Sequence, residues 1–405
     1  MMTEASVGVS PYRLLSDHDA VLAALESFDE PHAAAAAQRA RAMAPPEVAR
    51  AALATVFARR RAKASGKFDR PDLMLFTREG YEQATSSAVA RHRSERFTGL
   101  AHAADLCCGI GSDAVALAGA VDRVFAVDVD LDALACAEHN ASTLGASKRI
   151  RFACADAATV PLGDAQAVFA DPSRRRGTLR SREGDSYSPP LNSILARARE
   201  VPGGRLCVKA APGLDVASPV VSRALGDLPL EVEIVSERGV CKEATLWCGE
   251  FARGDGARRA TVIDRDGTHV FDGDPRVSSV VSPLAGFIGE PDPSVIRAGL
   301  IGALCDGANA LVLDPRVAYL TASATPARSP FVRWFRVREA MPFGVKRLRA
   351  YLRDRGVGHA IVKTRAFPLR PEDVNALLKL RGERSAVIVC TTIGTKKTAI
   401  VCDPM

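Results

Sequence analysis

The segment Asp105-Leu-Cys-Cys-Gly109-Ile-Gly111-Ser-Asp113 lies between a short apolar strand pattern and a helical pattern. Glycine has no Cβ, so two glycines at a strand-to-helix turn let the backbone approach a ligand closely. The helix start that follows offers free N–H groups to a carboxylate or a phosphate. The segment therefore predicts a strand–loop–helix unit with a ligand site at its turn.

Short apolar segments recur downstream, and helical patterns such as Asp113 to Ala120 and Leu131 to Thr143 separate the first of them. Strand–helix alternation of this kind predicts an α/β domain with a parallel sheet covered on both faces. The predicted strands are Ala103 to Leu106, Val124 to Asp128, Ile150 to Cys154, Ala167 to Ala170, Arg205 to Ala210, Val232 to Ser236 and Ala244 to Trp247.

Three acidic residues narrow the choice of ligand, because the glycine loop also satisfies a dinucleotide fingerprint. Asp105 stands at the strand end, where it would repel a pyrophosphate and attract a cationic amino-acid group. Asp128 ends the second predicted strand and can hold two ribose hydroxyls. Asp156 follows the third and can accept a hydrogen bond from an adenine amino group. S-adenosylmethionine (SAM) matches all three acids, whereas NAD accounts only for Asp128.

The order Asp105-x-x-x-Gly109-x-Gly111, then Asp128, Asp156 and Asp171-Pro172, resembles the class I SAM-dependent methyltransferases over about residues 99 to 250. The upstream segment from Phe76 through Thr77 to Thr85 resembles a narrower bacterial group, related to the trimethylguanosine-synthase-like methyltransferases and carrying a THUMP-like C-terminal domain. This resemblance implies a seven-stranded, doubly wound, Rossmann-like sheet. It also implies that the segment around Thr77 covers the cofactor.

The predicted fold class is α/β, with an N-terminal helical region, the methyltransferase sheet and a C-terminal α+β part. Lys363-Thr-Arg365-Ala-Phe-Pro and Leu380-Arg-Gly382 resemble the THUMP-like domain. The predicted parts are a helical region 1–98, a SAM-binding domain 99–252, a linker or hairpin 253–281, a ferredoxin-like module 282–340 and a THUMP-like basic domain 341–405.

Positive charge is concentrated at the end of the chain. From Met341 onward there are thirteen Lys plus Arg against five Asp plus Glu, while the whole chain carries +7. The remainder therefore sums to −1. Such an excess favours an acidic partner such as a phosphate backbone, and THUMP domains are associated with RNA binding. A solvated basic face is the alternative. The cluster Arg59, Arg60, Arg61, Lys63 and Lys67 is a second candidate contact for nucleic acid.

Asp171 is the first candidate for a residue that faces the methyl acceptor, since it follows a central predicted strand. Amine-methylating enzymes of this fold usually continue with Pro-Pro and an aromatic residue, but here Ser173 and Arg174 occupy the last two places. The arginine run from Arg174 to Arg176 could clamp a phosphate. Uridine-C5 enzymes need a cysteine after the fifth strand, where this chain has none.

Lys209 at the end of the fifth predicted strand and Glu243 on the rim after the sixth form a second candidate set. With Asp171 they resemble the Lys–Asp–Lys–Glu arrangement of ribose 2′-O-methyltransferases, although no upstream lysine is an obvious match to the first lysine of that arrangement. A lysine ammonium near a hydroxyl lowers the pKa of that hydroxyl. The alternative is a structural Lys209 paired with Glu243.

Other features restrict the class of protein. Neither the ten cysteines nor the seven histidines have zinc-site spacing, so no metal is predicted. The chain has no apolar stretch of about 18 residues and no signal-peptide pattern, which predicts a cytoplasmic protein without a membrane partner. The sequence thus predicts a SAM-dependent methyltransferase acting on RNA, either tRNA or rRNA, at a base or ribose position. The alternatives are a small-molecule or protein methyltransferase, or an RNA-binding protein that has lost catalysis.

Overall fold

The computed structural model describes residues 9–15, 19–28, 32–174 and 187–405. The chain divides into two compact units, Met1–Val232 with Glu243–Gly256, and Glu233–Lys242 with Ala257–Met405. In the described part of the chain, no helix combines the length and the apolar character that a bilayer crossing requires.

The regular structure described before the first strand is helical, and helices alternate with strands after it. The segment 78–94 contains two helices rather than one, because Thr77 and Ser86 each accept a hydrogen bond from a backbone N–H and start a new helix. The helices of this part are α1 (Pro11–Leu15), α2 (Asp19–Leu25), α3 (Ala33–Met43), α4 (Pro46–Ser65), α5 (Arg78–Gln83), α6 (Ser87–Ser94), α7 (Ser112–Ala118), α8 (Leu131–Thr143), α9 (Leu191–Ala196) and α10 (Pro219–Leu225).

The strands of the same stretch include all seven of the predicted methyltransferase sheet. They are β1 (His102–Leu106), β2 (Arg123–Asp128), β3 (Ile150–Cys154), β4 (Ala167–Ala170), β5 (Ser173–Arg174), β6 (Tyr187–Ser188), β7 (Leu206–Ala210), β8 (Leu230–Glu237), β9 (Val240–Cys248), β10 (Arg258–Asp264) and β11 (Gly267–Gly273). Strands β5 and β6 pair only with each other, and β10 and β11 form an antiparallel hairpin.

The first sheet has the strand order β3-β2-β1-β4-β7-β9-β8, continued by β10 and β11. Pairing is parallel from β3 to β7 and antiparallel between β7 and β9. The chain order reverses between β1 and β4, so a crevice opens at the carboxyl ends of these two strands. This is the predicted doubly wound sheet, with the hairpin as an addition.

The centre of the first sheet is buried, because the strands β1, β4 and β7 are mostly apolar. In β4, Ala167 to Ala170 are all buried, as a strand covered on both faces requires. A separate apolar cluster joins helices α1 to α4 to Ile110 in the loop after β1 and to Ala135 on α8. The helical N-terminal region is therefore anchored at the crevice.

The second unit contains a seven-stranded sheet of order β13-β14-β12-β15-β18-β17-β16. Its elements are β12 (Phe287–Pro291), α11 (Pro293–Ala298), α12 (Ile301–Ala308), β13 (Leu311–Asp314), β14 (Val317–Ala322), β15 (Val332–Pro342), α13 (Val345–Arg353), β16 (Val357–Arg365), α14 (Pro371–Leu378), β17 (Arg384–Ile393) and β18 (Lys396–Pro404).

Alternation along the strands of this second sheet gives it two apolar faces. Ile388 and Cys390 pack with Leu348 of α13 in one cluster, whereas Val387 and Val389 belong to another. Helices α11 and α12 are separate, because Gly299 ends α11 in the left-handed conformation. Strand β15 spans residue 341, so the predicted boundary at 340/341 falls within a strand.

Candidate active site

The loop between β1 and α7 holds both glycines of the opening motif at positive φ, 53° for Gly109 and 82° for Gly111. A Cβ on Gly111 would come within 3.0 Å of the Ala137 side chain on α8, so the loop needs glycine to pack there. A Cβ on Gly109 would meet no atom within 4 Å. The loop backbone at Gly109 is therefore accessible to a ligand.

Asn140 fixes this loop, although no sequence motif singled it out. Its side-chain amide donates to the carbonyl oxygens of Ile110 at 2.9 Å and Leu75 at 3.1 Å, and its Oδ1 accepts from the Leu75 N–H at 2.7 Å. The residue is 1% exposed. A polar residue on the otherwise apolar face of α8 was the available signal.

Asp105 is fully buried at the end of β1. Neither of its carboxylate oxygens has a hydrogen-bond partner among the described residues. Burial raises the pKa of Asp105 well above its usual range, and the nearby carboxylates of Asp113 and Asp171 add to the shift. A buried carboxylate without a partner is costly unless a cationic ligand supplies one.

Asp128 lies across from this loop at the end of β2. Its Oδ2 accepts from the Gly109 N–H at 2.8 Å and its Oδ1 from the Asp130 N–H at 3.0 Å. Burial raises the pKa of Asp128, while these backbone hydrogen bonds oppose the shift. The next residue, Val129, is 69% exposed and offers an apolar surface beside the carboxylate.

Asp156 follows β3, whose last residue, Cys154, pairs with Asp128 on β2. Its side chain is exposed, and Oδ1 accepts from the Ala158 N–H at 2.9 Å in a tight turn. The carboxylate therefore stands at the same edge of the sheet as Asp105 and Asp128, with its second oxygen available to a ligand.

Thr77 caps α5, and its hydroxyl oxygen accepts from the Gly80 N–H at 2.8 Å. Helix α5 packs tightly on the glycine loop, since a Cβ on Gly80 would come within 2.3 Å of Ile110 Cγ2. The segment that begins at Thr77 therefore lies directly against the loop.

Asp171 and Lys209 meet where β4 and β7 end. Lys209 Nζ lies 2.5 Å from Asp171 Oδ2 and 3.1 Å from the carbonyl oxygen of Gln83, at the end of α5. Burial acts to lower the pKa of Lys209, but the carboxylates of Asp171 and Glu243 outweigh it and hold that pKa above its ordinary value. Lys209 is therefore an ammonium at neutral pH.

Glu243 does not lie on the rim where the sequence placed it. Strand β9 begins at Val240, so Glu243 is inside the strand and only 2% exposed. Its carboxylate forms an ion pair with Arg93 of α6 and accepts from the Thr245 hydroxyl at 3.1 Å. The Lys–Asp–Lys–Glu arrangement is thus not assembled in the form that the sequence predicted.

Arg93 is a buried cation that supports the site, and the sequence motifs did not reveal it. Its guanidinium binds both Asp113, at the start of α7, and Glu243, and lies 4.5 Å from the Phe169 ring centroid on β4. The carboxylates of Glu243 and Asp113 raise the pKa of Arg93 although burial opposes this. Its partners are 20 and 150 residues away along the chain, so no local pattern could reveal it.

The side chains of Arg174 to Arg176, predicted to clamp a phosphate, lie outside the described residues. Among the residues that are described, no group of three or more His, Cys, Asp or Glu side chains could hold a metal ion. The polar groups described at the crevice are its carboxylates, Lys209 and the backbone of the glycine loop.

Comparison with known proteins supplies the family. Two relatives, uncharacterized S-adenosylmethionine-dependent methyltransferases of Mycobacterium tuberculosis strains H37Rv and CDC 1551, are each 34% identical over 337 residues. The match covers 82% of this chain and 89% of each relative. This chain belongs to the SAM-dependent methyltransferases.

The other comparisons agree with this family. Residues 101–190 match the model of the RNA cap guanine-N2 methyltransferases, and residues 332–404 match the THUMP domain-like model. The crystal structure of a "putative methyltransferase" from Porphyromonas gingivalis W83 is similar with a TM-score of 0.70 and 19% identity, covering 93% of this chain and 99% of that one. At this identity the likeness establishes the fold.

The residues at the crevice fit SAM. The unpartnered Asp105 carboxylate suits a cationic group such as an ammonium, and the open space at Gly109 allows a ligand to reach the backbone. The sequence predicts SAM as the cofactor. The membership of this chain in the SAM-dependent methyltransferases confirms that prediction.

Proposed function

We propose that this methyltransferase modifies RNA, with tRNA or rRNA as the substrate. The observation that carries the proposal is the basic surface of the C-terminal region, where several exposed side chains have no carboxylate partner among the described residues. They are Lys346, Arg347, Lys379, Arg381, Arg384, Lys396 and Lys397. Cations without internal partners are suited to a phosphate backbone.

A backbone contact joins two parts of this surface. The Phe343 N–H donates to the Lys397 carbonyl at 2.8 Å, just before α13 begins at Val345. Lys396 and Lys397 start β18, and Lys346 and Arg347 lie in the first turn of α13. Other C-terminal bases are engaged internally: Lys363, for example, lies 2.5 Å from Glu290. Basic side chains that are paired internally therefore have a structural role, whereas those without a carboxylate partner can hold RNA.

In the proposed site, the cofactor is held by the three acids of the sheet edge and covered by the segment at Thr77. Asp105 pairs with the ammonium, Asp128 binds the ribose hydroxyls and Asp156 accepts from the adenine amino group. Gly109 and Gly111 let the loop follow the ligand closely. SAM, when bound, supplies a methyl group on a positively charged sulfur.

Asp171 faces the acceptor in this proposal, and Lys209 positions it. An ammonium cannot take a proton, so Lys209 is unsuited to act as a base, whereas the Asp171 carboxylate can accept a hydrogen bond from an acceptor amine or hydroxyl. Glu243 contributes through Arg93 rather than by touching the substrate. Alignment of the acceptor supplies much of the acceleration in a displacement of this kind.

The experiment that tests the proposal incubates the full chain with methyl-labelled SAM and a lysate from a strain that lacks the protein. RNA, protein and small-molecule fractions are then separated and counted. We expect label in the RNA fraction, removable by ribonuclease. Label confined to protein or to small molecules would favour the other methyltransferase functions, and no label in any fraction would favour an RNA-binding protein without catalysis.

A further inference from the structure

A second basic cluster lies on the helices that precede the first strand, outside the site described above. Two of its arginines point into the protein's own structure: Arg59 donates to the Met74 carbonyl at 2.9 Å, and Arg60 donates to the Glu26 carbonyl. Lys67 donates to the Tyr81 carbonyl at 2.5 Å. These three side chains are hydrogen-bonded to backbone carbonyls and stabilise the fold. They are therefore less available to a ligand than side chains without such bonds.

Three other bases of the same region are exposed and have no carboxylate partner among the described residues. Arg61 and Lys63 lie near the end of α4, and Arg78 begins α5. Arg61 stacks on the Tyr81 ring at 4.7 Å, which ties the end of α4 to α5. We name Arg61, Lys63 and Arg78 the α4–α5 basic surface.

Stability alone does not account for this surface. A basic residue in the last turn of a helix is favourable, which is enough to explain Lys63. Arg78 is at the opposite end, in the first turn of α5, where the helix dipole disfavours a cation. Stacking of Arg61 on Tyr81 at an exposed position contributes little to stability.

The position of the surface connects it to the methyl-transfer site. Helix α5 contacts the glycine loop at Gly80 and Ile110, and its last residue, Gln83, accepts a hydrogen bond from Lys209. Gln83 is five positions after Arg78, a rise of roughly 7.5 Å along a helix. That span corresponds to about two phosphates of one nucleic-acid strand.

We propose that the α4–α5 basic surface binds the RNA phosphates that flank the nucleotide in the site. This inference rests on the proposed function, since it assumes that the acceptor is RNA. It adds a phosphate contact inside the methyltransferase unit itself, next to α5, whose last residue, Gln83, contacts Lys209. Positioning of the RNA strand at the acceptor then depends on α4 and α5.

The test compares the full-length protein with a double variant, Arg61→Gln with Arg78→Gln. The probes are bulk tRNA and a fluorescein-labelled oligouridylate of about 20 nucleotides, titrated at several salt concentrations. We expect weaker binding by the variant and a salt dependence of log Kd that is less steep by about 1.4 for the single strand, the value for two lost phosphate contacts. The unfolding midpoint should stay near that of the unsubstituted protein.

The matched control is Arg39→Gln with Arg41→Gln, which removes two exposed charges from α3 in the same unit. A second variant, Arg61→Lys with Arg78→Lys, keeps the charge and should keep the salt dependence. Equal binding by the glutamine variant and the unsubstituted protein, or an equal loss in the α3 control, overturns the inference. Such a result leaves the proposed function intact if the unsubstituted protein still methylates RNA. Absence of both RNA binding and RNA methylation in the unsubstituted protein overturns both.

Discussion

Lys209 and Asp171 bridge the ends of β7 and β4, with the lysine Nζ 2.5 Å from Oδ2 of the carboxylate. If Asp171 faces the acceptor, Asp171→Ala should lower the methyl-transfer rate by roughly 10²-fold or more, the usual scale for a lost proton-accepting group. SAM affinity, measured separately by calorimetry, should change little. Equal losses in transfer and SAM affinity would make Asp171 a cofactor residue instead.

Lys209→Met provides the companion measurement. Removing the ammonium should raise the pKa of Asp171, because an opposite charge within hydrogen-bond distance favours the ionised carboxylate. The acidic limb of the transfer-rate profile should therefore move to higher pH. An unchanged profile with a uniformly lower rate would assign Lys209 a structural role only.

Asp128→Ala should weaken SAM binding by roughly 1–3 kcal/mol, the scale of a lost hydrogen bond to a charged group. The control is Asp122→Ala, an exposed aspartate just before the other end of β2. Calorimetry should give unchanged affinity for the control. SAM affinity unaltered by Asp128→Ala would remove this residue from the site.

Asp105 should make the protein without SAM less stable as the pH rises. Its pKa in the folded chain is raised by burial, so the folded state holds the proton more tightly than the unfolded state. The stability that this proton provides is present at acidic pH and is lost as the pH rises through the folded pKa. Asp105→Asn should therefore raise the free energy of unfolding at pH 8, by about 1.4 kcal/mol per unit of raised pKa.

The same variant should lose the stabilisation that SAM gives to the unsubstituted protein, which a thermal-shift titration measures. A chain that gains stability and loses cofactor binding by one substitution identifies a residue kept for function. Lower stability of Asp105→Asn at pH 8, or an undiminished SAM shift, would contradict this role.

The C-terminal bases should hold RNA mainly by neutralising phosphates. Replacing Lys346, Arg347, Lys396 and Lys397 by glutamine should weaken RNA binding at low salt and reduce its salt dependence, since fewer counterions are released. SAM affinity should remain near that of the unsubstituted protein. RNA binding that is insensitive to salt, or unaffected by the four substitutions, would show that this surface does not hold the RNA.

The methyltransferase sheet could be predicted because its information is local. The run from Asp105 to Asp113 encodes the turn, and each apolar segment encodes its strand. The acids Asp105, Asp128 and Asp156 lie at the sheet edge as predicted, because parallel strands present their carboxyl ends together. The helix breaks at Ser86 and Gly299 are harder to predict, since a capping side chain or a single left-handed residue interrupts an otherwise continuous helical pattern.

The site's supporting contacts could not be predicted, because they join residues that are distant in sequence. Arg93 unites α6, α7 and β9 through Asp113 and Glu243, and its removal would leave two carboxylates buried without their counter-ion. Glu243 was placed on the rim, but strand β9 begins four residues before the predicted start at Ala244. Its buried position follows from that longer strand and from its ion pair with Arg93.

The most direct test of an RNA substrate compares the modified nucleosides of tRNA and rRNA from a strain with the protein and a strain without it. Mass spectrometry should find one methylated nucleoside that is absent without the protein. It should be restored by the unsubstituted chain and not by Asp171→Ala. Identical nucleoside profiles in the two strains, with methyl transfer to a protein or a small molecule instead, would contradict the account.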